Sequence, residues 1–397
     1  MRKDQSPGQT LMSLEWIDDE LRELERVDLL RRRVCRSGKL GAKLVIDGQR
    51  YLNFGSNDYL GIAADPALQD VVEKTVSRGG WGSGASPLIV GRSALHAELE
   101  RRLAAFMDCE AALLFPTGFA ANTGTIPALV GKQDVIFSDA KNHASIIDGC
   151  RLSGAQVVVF PHADVERLRM MIEQARDARR KLIVTDGLFS MDGDLARLPE
   201  LGELAKRHGA MLMVDEAHAL GVRGPAGKGV AAEFNVQVDV RVGTLSKALG
   251  SHGGFVAGSK SLIEYLSNRA RSYVYSTAGP VAAAAVALAA LNILRDEPER
   301  RERLAGASQH VRQSLAAQGW NIGATQSHIV PIIVGDPARA VELSAQLKAQ
   351  KLWVPCIRPP SVPEGESLLR ISLSSAHSEA MVDVLLDALH AHGPDPR

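Results

Sequence analysis

From residue 94 to residue 215 the chain repeats one pattern. A short apolar run, of a length that suits a strand, alternates with a stretch of helical period. The runs are Ala111 to Phe115, Asp134 to Phe137, Gln156 to Phe160, Lys181 to Thr185 and Met211 to Asp215. Helical patterns cover 94–107, 164–178 and 198–208. Strands that are apolar on both faces suit a parallel sheet covered by helices, so the expected class is α/β. The pattern changes after a helix at 279–296. A charged helix (297–318), strands near 329–334, 352–357 and 368–374, and helices at 337–350 and 377–391 predict a smaller α+β unit. At the other end, residues 1–12 read as loose. Residues 13–34 carry a helical period that ends in Arg31-Arg32-Arg33, a solvated end that suits the helix dipole. Asp47-Gly48 marks a hairpin between Lys43 to Ile46 and Tyr51 to Phe54. The expected units are 1–50 (leading helix and hairpin), 51–285 (large domain) and 286–397 (small domain).

Composition narrows the function. Lys+Arg and Asp+Glu balance at 46 each, which argues against a nucleic-acid partner. The stretch Val281 to Leu294 is too short to cross a bilayer, so no membrane role is expected. The four cysteines (Cys35, Cys109, Cys150, Cys356) form no CxxC pair and read as thiols in a reducing compartment. With no apolar signal core at the start, the expected location is cytoplasmic. His143, His162 and His218 are far apart and lack a paired ligand at helical spacing, so no metal site is expected.

The chemistry gathers at two stretches, Met211 to His218 and Val242 to Gly250. If they are neighbouring strands, Asp215, His218, Thr244 and Lys247 converge at a sheet's carboxyl edge, where ligands of open α/β sheets collect. Gly82-Ser-Gly84 follows no strand of a compact βαβ unit, and no GxxxxGK[ST] loop exists, so nucleotide loops fall away. What remains fits an aldehyde cofactor with a pyridine ring and a phosphate. Such a group needs a lysine for a Schiff base and a carboxylate facing the ring nitrogen. Pro116 to Asn122 follows a strand and opens a helix, where backbone amides favour a dianion. Each residue also has an ordinary reading: Asp215 as a helix cap, Lys247 as a surface lysine, Thr244 as a satisfied loop hydroxyl, His143 as a capping histidine.

Seven stretches together resemble the α-oxoamine synthases, fold-type-I pyridoxal-phosphate (PLP) enzymes with an aspartate-aminotransferase-like fold. They are Asn57 to Gly61, Thr117 to Asn122, Asn142 to Ser145, Phe189 to Asp194, Val214 to His218, Thr244 to Lys247 and Tyr275 to Thr277. The resemblance implies a large domain with a mainly parallel sheet, a smaller α+β C-terminal domain, and a homodimer with shared active sites. It implies that Lys247 carries the cofactor and acts as base, that Asp215 faces the pyridine nitrogen, and that His218 meets the ring's phenolic oxygen. Ala217 would lie beneath the ring and His143 above it. Gly118, Phe119 and Thr244 would hold the phosphate, with Ser276 and Thr277 reaching in from the second subunit, and Ser190 would add a polar contact. Asn57 and Arg370 would clamp the substrate carboxylate, with Arg358 and Arg31 also on the substrate side. Trp353 to Gly365 and Leu369 to His377 resemble members that join L-alanine to a pimeloyl thioester, delivered on coenzyme A or an acyl carrier protein. A sibling using glycine or serine with another acyl-CoA, and a non-catalytic PLP-binding protein, are the alternatives. Three places depart from the family: Ala85-Ser86-Pro87-Leu88 where it often has Gly-Ser and a basic residue, Ala163 where it often has Asn, and Glu216 where it often has Asp.

Overall fold

The computed structural model describes residues 14–175 and 177–394. The loose segment expected at 1–12 lies outside them. The chain opens with helix α1 (Trp16–Arg26), a bridge strand β1 (Arg36–Ser37) and the hairpin β2 (Lys43–Ile46) and β3 (Gln49–Asn53). Asp47 and Gly48 take φ of 49° and 74°, the left-handed pair that such a tight turn needs. Helices α2 (Pro66–Gly79) and α3 (Ala94–Phe106) lead into the main sheet.

Its elements follow in order: β4 (Ala111–Phe115), α4 (Gly118–Leu129), β5 (Val135–Asp139), α5 (Ala144–Ser153), β6 (Gln156–Phe160), α6 (Val165–Gln174), β7 (Lys181–Asp186), α7 (Leu198–His208), β8 (Met211–Asp215), α8 (Val230–Glu233), β9 (Val240–Thr244) and β10 (Gly254–Gly258). The strands form one seven-stranded sheet in the order β4-β10-β9-β8-β7-β5-β6. Pairings from β6 through β9 are parallel, and β10 runs antiparallel between β9 and β4. The chain then runs through α9 (Lys260–Arg269), α10 (Arg271–Val274), α11 (Val281–Asp296), α12 (Glu299–Ala317), β11 (Ile329–Gly335), α13 (Pro337–Ala349), β12 (Leu352–Trp353), β13 (Cys356–Ile357), β14 (Ser367–Ser372) and α14 (Glu379–His392). Strands β11, β14 and β13 make a small antiparallel sheet.

Several expectations change. The leading helix stops at Arg26, well before the arginine triplet. Asp28 turns left-handed (φ 56°), and the amides of Leu29 and Leu30 fold back onto the carbonyl of Leu24. Arg31 is therefore not a helix end: its guanidinium donates to the carbonyls of Arg358 and Pro359 at 3.1 and 2.9 Å. The strand expected at 352–357 is two strands in different sheets, and β12 pairs parallel with β3. Strand β6 is an edge, so its Val157 and Val159 are exposed rather than covered on both faces. Strand β10 is framed by glycines and carries only three side chains larger than hydrogen, too few to show a strand pattern in the sequence. A division of the chain at residues 50 and 285 remains a proposal. Strand β3 runs across residue 50 and pairs its Leu52 and Asn53 with β12, and α11 runs through residue 285 without a break. No helix among the described residues is long and apolar enough to cross a membrane.

The Ala163 departure has a backbone consequence. Ala163 sits at φ 55°, and its amide donates to Asp139 at 3.0 Å. A left-handed alanine carries a strain of roughly 1–2 kcal/mol, which asparagine tolerates better. Ala163→Asn is expected to raise the unfolding temperature by about 1 °C, a gain of roughly 1 kcal/mol; calorimetry showing no rise would contradict the strain.

Candidate active site

The register of the parallel strands builds the site. Asp186 at the end of β7 lies opposite Asp215 at the end of β8, and Asp215 lies opposite Val242 of β9. Lys247 follows β9 through a tight turn in which the Gly250 amide donates to the Lys247 carbonyl at 2.9 Å. The two stretches singled out in the sequence are thus neighbouring strands.

From Lys247 a run of hydrogen bonds crosses the site. Lys247 Nζ lies 2.7 Å from His218 Nε2, and His218 Nδ1 lies 2.6 Å from the Tyr59 hydroxyl. Tyr59 donates to Asn57 Oδ1 at 3.0 Å, and Arg370 donates to the same oxygen at 3.2 Å. That amide oxygen can only accept, which orders the protons. The single Tyr59 O–H points to Asn57, His218 donates from Nδ1 to Tyr59, and His218 Nε2 keeps a lone pair for Lys247. The assignment needs a neutral imidazole. Burial holds His218 well below the ordinary histidine value, and the charges of Lys247 and Arg370 push the same way. Burial also lowers the Lys247 amine to about 8, although Asp215 and Asp186 oppose the shift. Arg370 is buried, and its guanidinium also bonds the Ser190 carbonyl and, at 2.7 Å, the Ser372 hydroxyl.

A second arm fixes the acid. Asp215 accepts from the Ala217 amide at 2.9 Å and from Asn122 Nδ2 at 2.7 Å. Asn122, wholly buried in α4, also donates to Ser145 Oγ at 2.9 Å, and that hydroxyl lies 2.7 Å from His143 Nδ1. His143 caps α5, its side chain accepting from the Ser145 amide, and its ring stands edge-on to Phe119 at 6.4 Å. Asp186 accepts from the His143 amide at 2.7 Å. Burial, and then the neighbouring Asp215, raise the Asp186 carboxyl well above its ordinary range. Glu216 is fully buried as well, and its extra methylene takes its carboxyl to the amides of Val230 and Ala231 at 2.9 and 2.8 Å.

The third part is the turn before α4. Thr117 caps the helix through the Ala120 amide at 3.0 Å, and no helical carbonyl can reach the amides of Gly118 and Phe119. A methyl group on Gly118 would point at Thr244, 3.4 Å from its Cβ and 3.6 Å from its hydroxyl oxygen, and would fill the space between them. Gly254 closes the turn from behind, because a Cβ there would fall 2.5 Å from the Gly118 nitrogen. The donor set fits PLP: an amine for the aldehyde, a buried carboxyl for the ring nitrogen, and helix-start amides beside a hydroxyl for the phosphate.

Other expected residues lie apart. Ser276 and Thr277 line a cavity with His252 and Pro280, and no hydrogen bond joins them to the Lys247 cluster. Arg358 is tied to the backbone of the N-terminal segment, donating to the carbonyls of Asp28 and Leu30. Tyr59, Asn122, Ser145 and Asp186 had no role assigned from the sequence. Three of them fall inside the stretches quoted for the resemblance. Their partners are distant in sequence, 159 residues away for Tyr59 and His218, so the pairings could not be read.

Comparison with known proteins gives this geometry its class. Residues 49–389 match the family model "Aminotransferase class I and II". The chain belongs to that family of PLP-dependent enzymes, and its fold is the fold-type-I fold expected from the resemblance. It is 49% identical over 385 residues to an 8-amino-7-oxononanoate synthase of Anaeromyxobacter dehalogenans, covering 96% of each chain. A Nitrosococcus oceani protein of the same name is 47% identical, over 93% of this chain and 99% of its own length. Among solved structures, serine palmitoyltransferase from S. paucimobilis with PLP and myriocin bound matches with a TM-score of 0.91 at 32% identity, covering 96% and 98% of the two chains. An 8-amino-7-oxononanoate synthase from Francisella tularensis matches at 0.75 and 28% identity, covering 86% and 97%. Within the family the chain is an α-oxoamine synthase, a PLP-dependent acyltransferase.

Two outcomes follow from the site. The lowered lysine value predicts that the rate at which the cofactor-free protein captures PLP rises with pH through about 8 and then levels off. The amine must be neutral to attack, so a midpoint near its ordinary 10.5 in stopped-flow absorbance would contradict the enclosed lysine. Tyr59→Phe removes the acceptor for His218 Nδ1. Losing one such bond is worth about 1 kcal/mol, so kcat is expected to fall roughly 5-fold; an unchanged kcat would remove Tyr59 from the account.

Proposed function

We propose that the protein condenses L-alanine with a pimeloyl thioester, on coenzyme A or a carrier protein, to give 8-amino-7-oxononanoate, carbon dioxide and the free thiol, a step of biotin synthesis. The observation that carries the chemistry is the run from Lys247 through His218, Tyr59 and Asn57 to Arg370. It links a lysine of lowered basicity to a buried arginine that can fork onto a carboxylate. Relatives 47–49% identical that bear the 8-amino-7-oxononanoate synthase name support the choice of substrates.

Bound PLP supplies a pyridine ring that accepts the electron pair left when the amino acid's α C–H bond breaks. In this reading Lys247 first holds the cofactor and then, as a free amine, takes the α-proton on Nζ. A neutral His218 can accept a hydrogen bond from that amine at Nε2 and steady it. Asp215, fixed by Asn122 and the Ala217 amide, would face the ring nitrogen and hold a proton there. His143 would cover one face of the ring and Ala217 the other, and His218 would also meet the ring's phenolic oxygen. Gly118, Phe119 and Thr244 would hold the phosphate, and Ser190 would add a polar contact. Arg370 and Asn57 grip the alanine carboxylate until it leaves as carbon dioxide. Arg31 and Arg358, tied together by the bond from Arg31 to the Arg358 carbonyl, would serve the substrate in this reading. Ser276 and Thr277 act on the second site of a homodimer. The exposed apolar residues of α1, Trp16, Ile17, Leu21 and Leu24, support an assembly that covers them.

A sibling reaction, with serine and a longer acyl thioester, draws support from the higher TM-score to serine palmitoyltransferase, 0.91 against 0.75. Identity to the curated relatives weighs the other way: the Anaeromyxobacter dehalogenans 8-amino-7-oxononanoate synthase is 49% identical, against 32% for that palmitoyltransferase. Mass identification of products from alanine, glycine or serine with pimeloyl and palmitoyl thioesters separates the two. The proposal expects 8-amino-7-oxononanoate from alanine and pimeloyl thioester at the highest kcat/KM; a preference for serine and palmitoyl thioester would overturn it. Asp215→Asn is expected to lower kcat by about 100-fold or more, roughly 2.7 kcal/mol of barrier, and full activity would exclude the assigned role.

A further inference from the structure

His162 lies just past the carboxyl end of β6 and is tied on both sides. Its Nδ1 is 2.9 Å from Asp139, the last residue of β5, and its Nε2 is 2.8 Å from Asp194. An ionised carboxylate can only accept, so both ring nitrogens donate, and a histidine with two N–H groups is an imidazolium. Burial works against that charge, yet the bonds to Asp139 and Asp194 and their charges carry the ring's value up to about 10. Asp139 is fixed in its own right, accepting from the amides of Lys141 at 2.8 Å and Ala163 at 3.0 Å. The cation therefore binds a second acid, Asp194, to an anchored one.

That second acid closes the turn Phe189 to Asp194. The Phe189 amide donates to the Asp194 carbonyl at 3.0 Å, and the Gly193 amide returns to the Phe189 carbonyl at 2.9 Å. The buried Phe189 ring stands edge-on to the His162 ring, 4.4 Å between centroids. His162 thus grips both ends of the turn, one through a carboxylate and one through a ring. Two other ties hold its middle. Lys141 Nζ lies 2.7 Å from Asp192, and the Gln326 amide donates to the Gly193 carbonyl at 3.0 Å. Ser190 follows Phe189 directly, and its carbonyl accepts from Nε of Arg370. Nη1 of the same guanidinium donates to Asn57 at 3.2 Å and to Ser372 at 2.7 Å. Bonds from two of its nitrogens fix the plane of the guanidinium, and the Ser190 carbonyl points where the ends of the turn place it.

We propose that His162 is a positioning residue for the amino acid's carboxylate, resting on the role proposed above for Arg370: it pins the 189–194 turn to the end of β5, and the Ser190 carbonyl of that turn aims the Arg370 guanidinium. His162 acts through Ser190 and Arg370, at a distance from the reacting atoms. A neutral side chain in its place leaves two acids facing each other without a cation between them. Their repulsion moves Asp194 away from Asp139 and turns the Ser190 carbonyl with it.

The test reads amine binding to the holoenzyme, without thioester, from the change in cofactor absorbance. L-alanine is compared with ethylamine, which has the same amine and methyl group but no carboxylate. In His162→Gln the Kd for alanine is expected to rise about 5-fold, roughly the worth of one hydrogen bond, while the Kd for ethylamine stays the same. Arg370→Gln should also raise the alanine Kd, and adding His162→Gln to it should cause no further rise, because the two act as one unit. Asp194→Asn removes the charge from the turn's side and is expected to shift alanine in the same direction, which keeps the test decisive if His162→Gln does not fold. An equal rise for both amines, or an additive rise in the double variant, would overturn the positioning role. A rise in Arg370→Gln with none in His162→Gln or Asp194→Asn would overturn the role of His162 alone. An unchanged alanine Kd in Arg370→Gln would overturn the carboxylate role of Arg370 and that of His162 with it.

Discussion

Two buried carboxyls side by side are the constraint on which the rest of the site depends. Asp186 and Asp215 face each other at the ends of β7 and β8, and burial of both as ions would be costly. The fold answers by raising the Asp186 carboxyl well above its ordinary range and by drawing donors to both. Asn122 and the Ala217 amide serve Asp215, and the His143 amide serves Asp186. Those donors come from the second turn of α4, from the residue that caps α5 and from the loop after β8. The parallel register thus dictates where three loops must begin, and the cofactor's place follows from those loops.

The opposite side of the site is governed by one amide oxygen. Asn57 Oδ1 receives both Tyr59 and Arg370, and this sets the tautomer of His218 as a donor toward Tyr59 and an acceptor toward Lys247. A lysine pressed to about 8 beside a neutral histidine can shed its proton near neutral pH, as a proton-transfer group must. Proton order, desolvation and strand register are therefore one arrangement. Changing any of them disturbs the others.

Much of this was legible in the sequence, because strands β4 to β9 are short apolar runs and helix starts carry their own punctuation. Asp215, Lys247, His143 and Gly118 stood at strand ends or loop starts, where position alone suggests chemistry. What escaped depends on contacts between distant parts. Strand β10 is bounded by Gly254 and Gly258 and reads as a loop until Gly254 is seen pressed against the Gly118 turn. The end of α1 depends on the left-handed Asp28, which the apolar period hides. Arg31 looked like a helix end and instead braces the Arg358–Pro359 backbone, 327 residues away.

The central claim is that Lys247 Nζ moves the α-proton of the amino acid within the cofactor site. The direct measurement is loss of the α-proton signal of L-alanine in D2O by NMR, with holoenzyme and no thioester. The account predicts exchange by the wild-type protein. For Lys247→Ala with PLP still bound, it predicts exchange at least about 100-fold slower, a barrier increase of roughly 2.7 kcal/mol. Exchange at the wild-type rate in that variant would contradict the account.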